Sequence, residues 1–429
     1  MAENNETVSP IKDTLSVGSD FKSYKYRWVV LIIFMLVGAI TQIVWVTYGL
    51  IIDETATFFF GSLTDTNEIF ILLLSLIFMV IYIPVNFPAC WIIDKLGLKW
   101  GSGIGVILTG IFGPLRILAV YLGNFWMLLA FQIMCAIGQP FVLNSFTKLA
   151  ASWFPEKEKT LASGLGILSM LIGILLAFII PPFAVKNNIP GGITWITIAF
   201  GILAFVGMIL YFIFIRDKPP SPPNAYADKT KVLAVEGTRS MFKNRDFNLL
   251  FIAIFIGGGI FNALSSVIDI IFDYEITDPQ PGIIGGLLIG GGIVGAVVVS
   301  TLSDHLQKRK IFLIIAMIAG GVFTMLLYFI QADIGKYIVS FFLGLFLVSA
   351  LPVGLTFAAE ITYPLPEETS NGIMMWINQI GGILLLGGII LTSELNVSLM
   401  YINIIVMGVM FVIGAILTIL MKDLDAYKR

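Results

Sequence analysis

The stretch TQIVWVTYGL, Thr41 to Leu50, sets Gln42, Trp45, Thr47 and Tyr48 inside a run apolar enough to cross a bilayer. A helix facing lipid needs none of these side chains. Trp45 has two uses open to it: an aromatic face turned into a solute cavity, or an interfacial anchor of the kind common at span ends. Other side chains raise the same question. Gln139, Phe261 and Gln379 fall about 15, 14 and 10 residues into three other apolar runs, which at a rise of 1.5 Å per residue sets all three near the middle of a bilayer. Amides at that depth are expensive unless they line a cavity or bond to one another across helices.

Three ionisable groups within or at the ends of apolar runs need accounts of their own. Arg116 lies in the outer half of its run, where a mid-span charge costs roughly 2.5–3.5 kcal/mol on insertion scales. It must face water or a partner, either binding an anionic group or snorkelling to the outer interface. Asp269, in SSVIDIIFDYE, reads as a counter-ion, a proton site or a residue at the outer water interface. Glu360 ends a run and reads as a loop cap. The single histidine, His305, sits in a polar connection. No His/Cys cluster has metal-ligand spacing and no nucleophile–base pair is evident. The run GLLIGGG lacks the Lys and Ser/Thr of a phosphate loop. The expectation is a protein that is not an enzyme, with no metal, cofactor or ATP-driven step.

These residues are carried by an unusual chain. It has 429 residues, 58% of them hydrophobic and 12% charged, against about 25% charged in a soluble domain. The apolar residues come in blocks of about 20, the length of a membrane-spanning helix. They are too long and too uniformly apolar for barrel strands. The reading is an all-α membrane protein with twelve transmembrane helices. The spans run over 27–52, 68–93, 101–122, 124–151, 160–184, 192–215, 247–272, 281–303, 311–332, 336–360, 369–393 and 399–421. A polar segment, 216–246, contains RDKPPSPPNAYADKTK and divides the chain into two bundles of six, 27–215 and 247–421. Residues 1–26 and 422–429 are expected as polar tails, the first disordered and without a cleavable signal peptide. Cys90 and Cys135 both fall within spans and read as free thiols. No basic cluster suggests nucleic acid, so the expected partners are the lipid bilayer and a small-molecule substrate, with the chain a monomer.

Of the 25 Lys and Arg residues, 22 fall in connections on one side, Lys186 and Lys336 on the other, and Arg116 within a span. By the positive-inside rule both termini and 216–246 are cytoplasmic, in what is expected to be the plasma membrane. Glycine is abundant, with 42 residues and GGG at 257–259 and 290–292. The glycine-rich seventh, eighth and eleventh spans read as close-packing or moving surfaces.

The two halves repeat. In IDKLGLK, Asp94 precedes Lys99 by five residues; in SDHLQKR, Asp304 precedes Arg309 by five, 210 positions later. WFPEKEKTLASG (153–164) and TYPLPEETSNG (362–372) repeat at 208 to 209. An acid at the end of one helix can cap the next and pair with a basic residue. Such clusters would tie neighbouring helices at the cytoplasmic side, making Asp94, Lys99, Asp304 and Arg309 candidate gate residues. DKLGLK and DHLQKR resemble degenerate copies of the cytoplasmic loop motif of the major facilitator superfamily, with Cys90 or Trp91 near its leading glycine and one terminal basic residue, Lys99. That resemblance covers about residues 27 to 421 and implies its two-half fold and alternating access.

A closer resemblance lies in WVTYGL (45–50), YIPVNFPACWIIDKLGLK (82–99), GQPFVLNSFTKLAASWF (138–154), IPPF (180–183) and LPVGLTFAAEITYPLPEETSNG (351–372). These are similar, in order, to segments of the feline leukaemia virus subgroup C receptor family, which transports choline and ethanolamine and to which haem export is also attributed. The resemblance implies a central substrate site. Trp45 matches its first-span aromatic, Gln139 its fourth-span glutamine and Gln379, in NQIGG, its eleventh-span glutamine. Phe261 matches one of two adjacent seventh-span aromatics, and Asn262 stands where the carriers have a tyrosine. At Asp269 they have a neutral amide. The implied function is transport of a small organic solute, a choline-like amine or other organic cation. A proton-coupled organic-anion carrier using Arg116, or a receptor or scaffold that moves nothing, stands as the alternative.

Overall fold

A computed structural model describes residues 24–221, 240–272, 280–306, 308–330, 332–362, 367–395 and 400–423. The expected tails, most of the 216–246 linker and the side chains of Asp269 and Asp304 lie outside the described residues. Among those described the chain is helical, without strands. The first half comprises α1 (Arg27–Val46), α2 (Ile52–Phe60), α3 (Asp65–Tyr121), α4 (Phe125–Leu143), α5 (Ser145–Trp153), α6 (Glu156–Val185) and α7 (Ile189–Phe214). The second comprises α8 (Arg245–Phe272), α9 (Gln280–Leu306), α10 (Arg309–Phe329), α11 (Asp333–Ile361), α12 (Glu367–Leu395) and α13 (Met400–Ile419).

Eleven helical stretches are long and apolar enough to cross a membrane. The longest, Thr66–Tyr121, has 56 residues; end to end that is about 84 Å, well over twice a hydrocarbon core. It reverses at Gly97, whose φ of 84° suits glycine and whose missing Cβ leaves room for the Asp217 carboxylate. The stretch therefore crosses twice, and the described residues make twelve crossings. Local chemistry fixes several starts. Thr64, Asn124 and Asn188 each accept a hydrogen bond from a backbone N–H three residues on, capping α3, α4 and α7. Exposed tryptophans mark both ends of the bundle: Trp91 and Trp100 flank the Gly97 reversal, while Trp126 and Trp195 sit in the first turn of α4 and the second of α7. Indole rings in two such bands suit the two lipid–water interfaces.

Two expected spans are broken. The first, expected to reach residue 52, ends as helix at Val46; residues 47–50 form turns before the short α2. The fourth breaks at Asn144 between α4 and α5. Hydropathy does not register these breaks, because polar partners inside the bundle hold the backbone there. Val44's carbonyl accepts from Gln132 Nε2 at 3.0 Å and from Arg116 Nη1 at 3.5 Å. Asn144 donates to Asn86 Oδ1 at 2.8 Å and accepts from Tyr82 Oη at 3.3 Å.

Glycine packs helices in two distinct places. Within the second half, Gly291 and Gly295 of α9 lie on the Phe341 and Leu345 carbonyls of α11, and Gly344 of α11 lies on the Leu288 carbonyl. This is the small-xxx-small mode of close helix packing. Between the halves, Gly282 and Gly285 rest against Phe178 and Pro182 of α6. The eighth span is therefore not one moving surface: its first two turns face the other half, and Gly291 and Gly295 are locked inside their own.

Candidate functional site

The halves enclose a cavity of ≈ 100 Å³. Gln42 and Trp45 of α1 and Gln139 of α4 line it from the first half, and Phe261, Asn262, Asn378 and Gln379 from the second. Met170, Met317 and Met375 supply deformable apolar wall. Among the described residues, none of those lining it is ionisable. Leu143, Leu250, Leu313 and Leu355 extend the lining toward the end of the bundle that carries the Lys- and Arg-rich connections. At the opposite end the α9 glycines close on α6.

Packing explains how these side chains converge. Trp45 is 5% exposed, and its indole N–H donates to the Ser75 carbonyl at 3.1 Å. That bond holds the ring's edge against α3 while the ring lines the cavity. Gln139 follows Gly138, which packs on the Gly105 backbone and draws α4 onto α3. In the second half Gly259 meets the Gly381 backbone, and Gly258 leaves room for the Asn378 amide. This close approach of α8 and α12 sets Asn262 Nδ2 3.4 Å from Gln379 Oε1 and 3.4 Å from the Asn378 carbonyl. Where the resembling carriers have a tyrosine, this chain has an amide bonded to its neighbours.

All five residues expected at the substrate site thus lie on one cavity. Arg116 does not. It is wholly buried inside the first half, with Nε on the Gly113 carbonyl at 3.1 Å, Nη1 on Gln132 Oε1 at 3.2 Å, and its guanidinium 5.9 Å from the Tyr48 ring centroid. Neither snorkelling nor anion capture in the cavity describes it: its Nη1 also reaches the Val44 carbonyl near the end of α1, next to Trp45. The expected gate residues take separate partners. Asp94 pairs with Lys148 at 3.2 Å. The Lys99 backbone N–H donates to Asp217 Oδ1 at 3.1 Å and its Nζ to the Phe212 carbonyl at 3.2 Å. The turn at Gly97 separates Asp94 from Lys99. Arg309 grips both carboxylate oxygens of Glu360, Nη2–Oε1 being 3.1 Å. Glu360 is accordingly an ion-pair partner of the next helix rather than only a loop cap.

Sequence reasoning left Gln42 and Asn378 out of the site. The signals were present: Gln42 lies three residues before Trp45, hence on the same helical face, and Asn378 adjoins Gln379.

Twelve crossings in two halves about a central cavity define a membrane transporter fold of the major facilitator type. The model of the Major Facilitator Superfamily matches residues 30–386, and the chain belongs to that superfamily. It is similar to Solute carrier family 49 member A3 of Xenopus tropicalis, 34% identical over 386 residues, 85% of this chain and 77% of the relative. It is 30% identical to Choline/ethanolamine transporter FLVCR1 of Mus musculus over 393 residues, 83% of this chain and 68% of the relative. Among solved structures, the D-xylose-proton symporter aligns with a TM-score of 0.73 at 13% identity, covering 93% of this chain and 99% of that one.

Proposed function

We propose that this protein carries a small organic amine or cation across a membrane by alternating access. The observation that supports this best is the lining of the central cavity. It combines the aromatic faces of Trp45 and Phe261, one from each half, with neutral amides and, among the described residues, no charged side chain. A desolvated anion finds no cationic partner among them, whereas an ammonium group is attracted by aromatic faces. The relatives named as choline/ethanolamine transporters support the same class. Rocking of the halves about this cavity is the mode that two-half transporters use.

The test is uptake of radiolabelled choline into proteoliposomes. Competition by tetraalkylammonium ions and none by carboxylates is expected; the reverse pattern overturns the reading. Trp45→Ala is expected to weaken apparent affinity by about 2- to 30-fold, the equivalent of a cation–π contact worth about 0.5–2 kcal/mol. Trp45→Phe retains part of it. Unchanged affinity in folded Trp45→Ala protein leaves Trp45 a packing residue held against α3.

Orientation has a separate test. Both termini and residues 216–246 are proposed to be cytoplasmic, from the asymmetry of Lys and Arg. A Thr230→Cys protein in intact cells is expected to resist a membrane-impermeant maleimide until the cells are permeabilised. Labelling from outside inverts the topology.

A further inference from the structure

The polar groups of the cavity are not equally committed. On the second half, Asn262 Nδ2 donates toward Gln379 Oε1 and toward the Asn378 carbonyl and side-chain oxygen. The Asn262 donor is thus committed within its own half. On the first half, Gln42 is 1% exposed, lines the cavity, and its Nε2 has no hydrogen-bond partner among the described residues. A buried amide donor left without an acceptor is costly, and buried polar groups are hydrogen-bonded in the great majority of cases. Gln42 also sits one helical turn before Trp45, so its side chain and the indole flank the same stretch of cavity.

We infer that Gln42 determines specificity: its side-chain N–H donates to an acceptor oxygen carried by the substrate, one turn of α1 away from the group that rests on Trp45. This builds on the amine reading above and adds a second requirement to it. The substrate has an apolar or cationic end for the aromatic faces and, a few ångströms away, a hydroxyl, ether or carbonyl oxygen. A site built to bond an oxygen discriminates against the analogue lacking it, because the donor is then left unpaired. Asn262 does not substitute for Gln42, since its donor is held by its own neighbours.

The experiment measures binding to purified full-length protein by competition with radiolabelled choline and by thermal shift. Three probes are used: choline, ethyltrimethylammonium, which lacks only the hydroxyl, and 3,3-dimethyl-1-butanol, which keeps the hydroxyl and lacks the charge. Wild-type protein is expected to bind choline about fivefold to tenfold tighter than ethyltrimethylammonium, the size of one hydrogen bond. Gln42→Met keeps the length of the side chain and removes the donor; there the ratio is expected to fall to about one, with ethyltrimethylammonium unaffected. Gln42→Leu serves as a second variant, and the wild-type ratio needs neither to fold. Two results overturn the inference: no hydroxyl preference in the wild type, or a preference that persists in both variants. Should the neutral alcohol bind as tightly as choline in a Gln42-dependent way, the cation reading fails while the role of Gln42 stands. Should none of the probes bind, both fail.

Discussion

Gly344→Val is expected to eliminate folded, monodisperse protein. A Cβ at Gly344 would overlap the Leu288 carbonyl of α9, and Gly291 and Gly295 present the reciprocal surface to the Phe341 and Leu345 carbonyls of α11. The opposing atoms are backbone, which no rotamer change can move. Accommodation requires α9 and α11 to separate along their length. That forfeits the van der Waals packing that drives helix association in lipid, where no hydrophobic force draws helices together. The loss exceeds the about 1–3 kcal/mol of ordinary overpacking, where side chains can adjust. Gly290→Ala is the control, since nothing lies near its Cβ position although it belongs to the same GGG run. Size-exclusion profiles of fluorescently tagged protein in detergent check both. A normal profile for Gly344→Val would mean that α9 and α11 do not pack this closely.

Glu360→Ala is expected to cost about 3 kcal/mol, the lower end of what removing one partner from a buried ion pair costs. Arg309 is 5% exposed while Glu360 is 27% exposed, so solvent screens the pair on one side only. The carboxylate takes both Nε and Nη2 of the guanidinium, joining the start of α10 to the end of α11. Replacing both partners with apolar residues, Arg309→Met with Glu360→Leu, is expected to restore most of the stability, because no charge is then left in the interior. Thermal unfolding of the two single variants and the double variant measures the coupling. If the pair also acts as a gate at the basic end, the stable double variant transports more slowly than the wild type. An additive cycle removes the pair from both accounts.

Much of this architecture was legible because hydropathy is local. A block of about 20 apolar residues announces a crossing whatever it packs against. Twelve spans followed without any contact being known. Deviations occur where the backbone is held by distant side chains. The first span was expected to reach residue 52, yet it stops at Val46, beside the Gln132 and Arg116 groups bound to the Val44 carbonyl. Arg116 and Gln132 lie 72 and 88 residues further along, and no window over the first span contains them.

The candidate site divides in the same way. Sequence alone determined the transporter family, the depth of Gln139, Phe261 and Gln379, and the oddity of Gln42 and Trp45 in an apolar run, since residue type and position along a helix settle each of these. Only the tertiary structure decided which way such residues face. A polar side chain inside the bilayer is stable against a cavity or against another helix, and sequence cannot tell the two apart. Rotation and close approach of the helices tell them apart. Backbone contacts at Gly105, Gly138, Gly259 and Gly381 set that approach. In the folded protein Asn262 is bonded within the second half, Arg116 is buried within the first, and the Gln42 amide lies on the cavity wall with its donor unpartnered.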